Sequence, residues 1–482
     1  MPSPEDDRLD PVLLRRVGVI LLGGVLGLLS STMVAVGLDL LAAEFDASLA
    51  AIGWASTGFL LAVTVAIPFT TWAVDRFGGR TMWLAGLIVF AAASVGAGLA
   101  WDAGSLIAFR IVQGFGAGIL DPLVLILLAR AAGPSRAGRV MGLMGVVLSL
   151  GPVVGPIFGG AVLDRLDWPW MFYLSVVIAA VVFGLSLKVL PADPPRAARA
   201  ASPRLDVVGL ALIGPGVAAL VLAASQAAEH AAFAAWQTLL PLGAGVVLLA
   251  VYAAWALRAR NETPLIDLRM FASSGFSASV TIMGLTGTVM YASLIVLPLY
   301  YQQAHGSSVL AAGLLIAPFG LGGTVSMPLA GWISDRVGSR SLARAGAVVL
   351  LACALGLTRL EADTPVAWPV AATLVMGLAS GFVSAPTMGS LYRTLPPEQV
   401  AQGSSVLYML NQLGGSIGIA VVALILSTAT GPDRGFQGVY WFLTAVLAVI
   451  LAATWLLPSG ERAASEPTAE PTAEPVPNLA NH

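Results

Sequence analysis

The chain is poor in the residues that usually carry chemistry. Its 482 residues include one cysteine, Cys353, so an internal disulfide framework is excluded, and that thiol lies in an apolar run where a small buried side chain is the simplest reading. The lone lysine, Lys188, has no glycine before it, so the phosphate-cradling pattern G-x-x-x-x-G-K-[ST] occurs nowhere, and neither a nucleotide partner nor ATP hydrolysis through such a loop is expected. Histidines at 230, 305 and 482 stand far apart with no neighbour at ligand spacing, so no metal and no cofactor is expected. Without a catalytic His, Cys or metal cluster, the chain does not read as an enzyme. Charged residues make up only 10% of the sequence, with a net charge of -2. The basic residues are spread among loops, which excludes a nucleic-acid-binding patch.

What is abundant is apolar surface. At 57% hydrophobic residues the composition belongs to a bilayer protein. With roughly 20 apolar residues per crossing, the sequence divides into fourteen candidate spans, from 17–41 to 438–457, the fifth at 140–163. The first stretch lacks a cleavage site and is long enough to span, so it is read as a retained helix. Prolines such as Pro68, Pro122, Pro298 and Pro386 fall inside these runs, where neighbouring helices satisfy the freed carbonyls.

The basic residues orient the spans. A cytoplasmic N-terminus puts only Arg165, Arg359 and Arg434 on the outer side and Arg110 within the membrane; every other basic residue falls on the cytoplasmic side. Both termini are therefore expected in the cytoplasm. The use of arginine in place of lysine suits a GC-rich bacterial genome, and hence a bacterial inner membrane. The expected organisation is a cytoplasmic segment 1–16, a first six-helix unit 17–190, a linker 191–205, two inserted spans 206–257, a linker 258–274, a second six-helix unit 275–457, and a tail 458–482. The tail repeats Glu-Pro-Thr-Ala and reads as disordered.

An internal repeat ties the two units together. Asp75-Arg76-Phe77-Gly78-Gly79-Arg80 returns 260 positions later as Asp335-Arg336-Val337-Gly338-Ser339-Arg340, each in a short charged loop between apolar runs. In each loop the glycine permits a tight turn, while the acid and arginines can bond to neighbouring helix ends and latch one closed state. Either loop alone fits positive-inside topology with a turn glycine; the repeated pair favours the latch.

The fourth span places charge inside the membrane. Arg110 and Asp121 flank Gln113-Gly114-Phe115-Gly116, and a separation of eleven residues leaves them roughly 20° apart around the helix and about 16 Å apart in depth. Such charges face the protein interior or a hydrated pathway. A purely structural role is open for each: Arg110 locked onto backbone carbonyls, Asp121 capping the chain around Pro122. The fifth span carries Gly142 and then Gly151-Pro152-Val153-Val154-Gly155-Pro156-Ile157-Phe158-Gly159-Gly160. Its glycines at four-residue spacing form a smooth stripe for close helix packing, and its prolines make it bendable.

These loops, the Arg110 segment and the glycine-proline helix from Gly142 to Gly160 resemble the major facilitator superfamily, and more narrowly its fourteen-helix drug:proton antiporters. Trp168, Leu297-Pro298-Leu299-Tyr300-Tyr301-Gln302 and Asn411-Gln412-Leu413-Gly414-Gly415 agree, and the resemblance covers residues 17–457. It implies an all-α fold of two six-helix bundles plus two inserted helices, acting as a monomer. Export of amphipathic, cationic small molecules would be driven by the proton-motive force. The glycine-proline helix, Gly142, Gly151, Gly155, Pro156, Gly159 and Gly160, is the pattern the resemblance associates with antiport.

The chain also departs from that pattern. The first helix lacks its acid, reading Leu29-Ser30-Ser31-Thr32, so proton coupling is expected to fall to Asp121, with Arg110, and to Asp39 near the outer end of span 1, where a merely solvated side chain is equally open. The first loop has Thr71 where a glycine is usual and Gly79 in place of an arginine, so its latch is expected to be weaker or differently packed. Candidate cavity contacts are Gln113, Ser30, Thr32, Met283, Tyr291, Tyr408, Asn411 and Gln412. An exporter of one endogenous metabolite or lipid is the alternative on the same fold, and a non-transporting membrane sensor the alternative from another class.

Overall fold

The computed structural model describes residues 11–132, 165–193, 206–230, 234–258 and 264–458, apart from 308, 362, 397, 398 and 430, together with scattered positions between 140 and 163. The described chain is helical throughout. The first bundle contains α1 (Pro11–Val36), the short α2 (Leu38–Glu44), α3 (Leu49–Phe77), α4 (Gly79–Gly98), α5 (Ala103–Ala132) and α6 (Trp170–Val189). The inserted hairpin is α7 (Val207–His230) and α8 (Trp236–Arg258). The second bundle contains α9 (Ser274–His305), α10 (Val309–Val337), α11 (Ser339–Leu357), α12 (Ala367–Thr394), α13 (Val400–Thr428) and α14 (Pro432–Ala453).

Among the described residues, 13 helices are long and apolar enough to cross a bilayer. The fifth expected span, 140–163, lies almost wholly outside the described residues; its few described positions are helical. One expectation is corrected at the first span. Asp39 was placed near the outer end of span 1, but α1 stops at Val36 and Asp39 belongs to α2. Gly37 interrupts the helix, its N–H bonding Val34 O at 3.1 Å while its carbonyl accepts from Leu41 N at 2.9 Å. The side chain of Asp39 lies outside the described residues.

The duplication read from the loops extends to the packing. In the first bundle α3 packs on α5, α4 on α5 and α6, and α1 on α5 and α6; in the second, α10 packs on α12, α11 on α12 and α14, and α9 on α12 and α14. Each pair occupies the place of its counterpart. Exposed Trp101, Trp236 and Trp368 sit at the helix ends remote from the repeated loops, where an amphipathic ring anchors in the bilayer interface.

Among the described residues, the apolar cores of the two bundles join at one end. At the end carrying Gly78 and Gly338, a single apolar core joins Ile67, Leu120 and Leu123 of the first bundle to Met388, Leu391, Val406 and Leu407 of the second. Ser405 Oγ adds a bond to Ile67 O across the seam at 3.4 Å. At the opposite end the cores are separate: Leu29, Met33, Ile52, Leu106 and Met171 form one, and Val296, Tyr300, Tyr301 and Phe436 belong to another. Among the described residues, then, the bundles share a core at the repeated-loop end and have separate cores at the other.

Candidate functional site

Helix α5 is placed by its glycines. A Cβ on Gly114 or Gly118 would run into the α3 backbone at Phe59 and Val63, and one on Gly116 would reach the Phe90 backbone of α4. These three positions let α5 sit deep between α3 and α4, which carries its two charges into the middle of the protein.

Arg110 is completely buried. Its Nε donates to Ala55 O at 3.1 Å, and one terminal nitrogen donates to Ser30 Oγ at 2.9 Å and Gln113 Oε1 at 2.7 Å. Gln113 Nε2 passes the chain to Ser94 Oγ at 2.6 Å, and Ser94 donates to Phe90 O at 2.7 Å. The guanidinium lies 4.1 Å from the centre of the Phe59 ring, an attraction that offsets part of its desolvation. The arginine is thus a hub joining α1, α3, α4 and α5. Its second terminal nitrogen has no hydrogen-bond partner among the described residues.

Asp121 stands differently. Its carboxylate lies over Gly27 of α1, where an added Cβ would come within 3.3 Å of Oδ1. Among the described residues it makes no hydrogen bond or ion pair. Leu28, next to Gly27, and Leu125, one turn beyond Asp121, line a cavity between the bundles. The rest of that lining comes from the second bundle, including Met283, Met290, Tyr291, Met327, Met388, Tyr408 and Asn411. Asn411 Nδ2 donates to Met283 O at 3.0 Å, pinning α13 against α9.

The candidate cavity contacts therefore divide. Met283, Tyr291, Tyr408 and Asn411 line the cavity. Ser30 and Gln113 are consumed by Arg110. Thr32 bonds back to Leu28 O at 2.8 Å and faces Gly155, whose added Cβ would collide with its hydroxyl. Gln412 is half-buried and lies outside the lining. In the glycine-rich span, Gly155 and Gly159 pack on α1 at Thr32 and Met33, while Gly142, Gly151, Pro156 and Gly160 lie outside the described residues.

The two repeated loops have one backbone. Gly78 adopts φ 96°, ψ 153° and Gly338 φ 94°, ψ 161°, a region that disfavours any residue with a Cβ. Around the first, Asp75 pairs with Arg130 at 3.8 Å and the Arg80 guanidinium donates to Leu187 O at 2.7 Å. Asp193 then caps α4: its carboxylate accepts from Arg80 N at 3.0 Å, Thr81 N at 2.8 Å and Thr81 Oγ1 at 2.7 Å. Around the second, Arg340 Nε donates to Leu457 O at 2.6 Å and Arg393 to Ser339 Oγ at 2.5 Å, while Arg336 lies 4.0 Å over the Trp332 ring. The side chain of Asp335 lies outside the described residues. These contacts run within one bundle each. Asp193 was not among the sequence candidates, since a loop acid more than 110 positions from its partners leaves no local pattern.

Two pseudo-repeated bundles around a membrane-depth cavity define a polytopic transporter. The family model described as Major Facilitator Superfamily matches residues 20–419, and the chain belongs to that family. It is 35% identical over 425 residues to the multidrug resistance protein B homolog of Mycobacterium tuberculosis H37Rv, covering 87% of this chain and 77% of that one. It is 28% identical to the multidrug export protein EmrB of Escherichia coli K12 (82% of this chain, 76% of that one). It is 27% identical to the lincomycin resistance protein LmrB of Listeria innocua (85% and 86%). Among solved structures, the fold is shared with the proton:xylose symporter XylE at a TM-score of 0.67 and 15% identity, covering 92% of this chain and 95% of that one. The human organic anion transporter MFSD10 shares it at 0.65 and 18%, covering 92% and 100%.

Proposed function

We propose that the chain is a drug exporter that expels amphipathic, cationic small molecules in exchange for protons, with Asp121 as the group over which the two ligands compete. The observation that carries this reading is the placement of Asp121: a carboxylate at membrane depth, beside a largely apolar cavity and without a hydrogen-bonding or cationic partner among the described residues. An anion there must be neutralised, and either a proton or a bound cation does so. Binding one releases the other, which is the requirement for exchange.

The rest of the geometry fits this cycle. The lining of Met, Leu, Phe and Tyr offers polarisable surface to aromatic and aliphatic groups with few fixed polar demands, which suits a broad range of ligands. The arginine loops at the Gly78/Gly338 end support a cytoplasmic placement of that end. On that placement the arrangement described above is the outward-facing member of an alternating pair, closed to the cytoplasm, and export completes when the bundles rock.

The test is counterflow in proteoliposomes with an internal pH dye. A lipophilic cation added outside should drive proton movement through the wild type. Asp121→Asn should fall to the level of empty liposomes, and Asp121→Glu should retain part of the flux. Unchanged substrate-driven proton flux in Asp121→Asn would overturn the reading.

A further inference from the structure

The inserted hairpin lies along the seam between the bundles. Helix α7 packs on α3 of the first bundle and on α13 of the second, whereas α8 packs chiefly on α7. Its direct helix contacts are both apolar, Ala224 and Ala227 meeting Ala420 of α13, but towards the second bundle polar ties are added. Towards α3, α7 presents Gly214, where an added Cβ would rest 3.5 Å from the Val65 carbonyl, and beside it Ile213 and Val217 are buried in the shared apolar core. Such a surface of small and aliphatic groups permits sliding.

Towards the second bundle the hairpin is fastened through residues 264–273, which lead into α9. Asp206, only 8% exposed at the foot of α7, takes Gly209 N at 2.6 Å on one carboxylate oxygen and Leu265 N at 3.0 Å on the other. Tyr252, near the foot of α8 and 2% exposed, accepts from Ile266 N at 2.9 Å and donates to Ile266 O at 2.8 Å. Gln402 of α13 accepts from Asp267 N at 3.0 Å, and Ser277 of α9 donates to Phe271 O at 2.6 Å. Leu265, Ile266 and Met270 are buried alongside. Consecutive backbone groups of the strap are thus held at once by α7, α8, α9 and α13.

We propose that Asp206, Tyr252 and Gln402 are positioning residues that clamp the inserted hairpin to the second bundle, so that hairpin and second bundle rock as one body while α7 slides across α3. The proposal rests on the alternating-access reading above. Within it, the hairpin keeps the α3–α13 seam covered in both states. Paired polar groups, buried at Asp206 and Tyr252, resist separation far more than apolar helix faces resist sliding, which decides which of the two contacts yields.

The glycines provide the probes. Gly184 of α6, Gly243 of α8 and Gly313 of α10 each face open space, so each accepts a spin label in a Cys353→Ser background. Three label pairs are compared in proteoliposomes at acidic and mildly alkaline pH by electron spin-echo distance measurement. The Gly184/Gly313 pair reports rocking. The Gly243/Gly184 distance should shift with it by several ångströms, and the Gly243/Gly313 distance should stay constant. Gln402→Leu, and more strongly Asp206→Asn, should broaden the Gly243/Gly313 distribution without moving the Gly184/Gly313 distances. A Gly243/Gly313 distance that follows the rocking, or a Gly243/Gly184 distance that does not, would overturn the clamp while leaving alternating access standing. A Gly184/Gly313 pair that never moves would remove the alternating-access reading and the clamp with it.

Discussion

The two bundles share one packing scheme but divide the chemistry between them. The first holds the membrane-depth charges Arg110 and Asp121, whereas the described spans of the second carry charge only near their ends. The second supplies most of the cavity lining and the methionines in it. A duplicated fold thus has an electrostatic half and a receptive half, and in the proposed exchange both act on one ligand at the cavity. Within the first bundle the charges divide again: Arg110 is spent on structure, and Asp121 is left available.

That division can be broken at its most costly point. Arg110→Ala strips partners from Ser30, Gln113 and the Ala55 carbonyl at once, and unpaired buried polar groups cost about 1–3 kcal/mol each. The variant should melt well below the wild type in detergent and yield little folded protein. If it melts with the wild type, Arg110 is not a hub.

A smaller effect separates the two loops. Ala at Gly78 or Gly338 meets the same positive φ, a strain of about 1–3 kcal/mol. At Gly78 the new methyl also drives into the Asp193 carboxylate, so Gly78→Ala should cost more than the backbone strain alone. Asp193→Ala should cost less in the Gly78→Ala background than alone, because the cap on α4 is already displaced. Additive losses in a double-mutant cycle would deny Asp193 its role there.

The smallest effect belongs to the cavity. Met290→Leu nearly conserves volume and should cost under about 1.5 kcal/mol of stability. Losing the thioether should lower the transport of flat aromatic cations relative to aliphatic ones by a few fold, because sulfur–aromatic contacts favour the former. Equal rates for both classes would argue that the lining acts by volume alone.

Much of this was readable from the sequence, for identifiable reasons. Long apolar runs bounded by arginine loops have few alternatives to spanning helices, so the bundles and the inserted pair were legible, and the repeated glycine loops carry one backbone, as their sequences imply. Arg110 and Asp121 stood out because charge is rare inside such runs. Their difference was hidden, since it depends on what α1, α3 and α4 bring to the same depth. Ser30 and Gln113 looked like cavity contacts because a polar group in an apolar helix reads alike whether it faces a ligand or a buried cation. Met290, Met327 and Met388 resemble ordinary core residues until the cavity is seen. Asp193 and Asp206 lie in or beside connecting segments without periodicity, and the partners of Asp193 and one of the two partners of Asp206 stand across a long stretch of chain.

The central claim is that cation and proton exclude each other at Asp121. It is tested most directly by adding a lipophilic phosphonium to purified protein in weakly buffered detergent and following pH. Wild-type protein should release protons in proportion to the cation bound, and Asp121→Asn, held in the neutral form, should bind the cation far more weakly and release no protons. Equal proton release from both proteins would contradict the account.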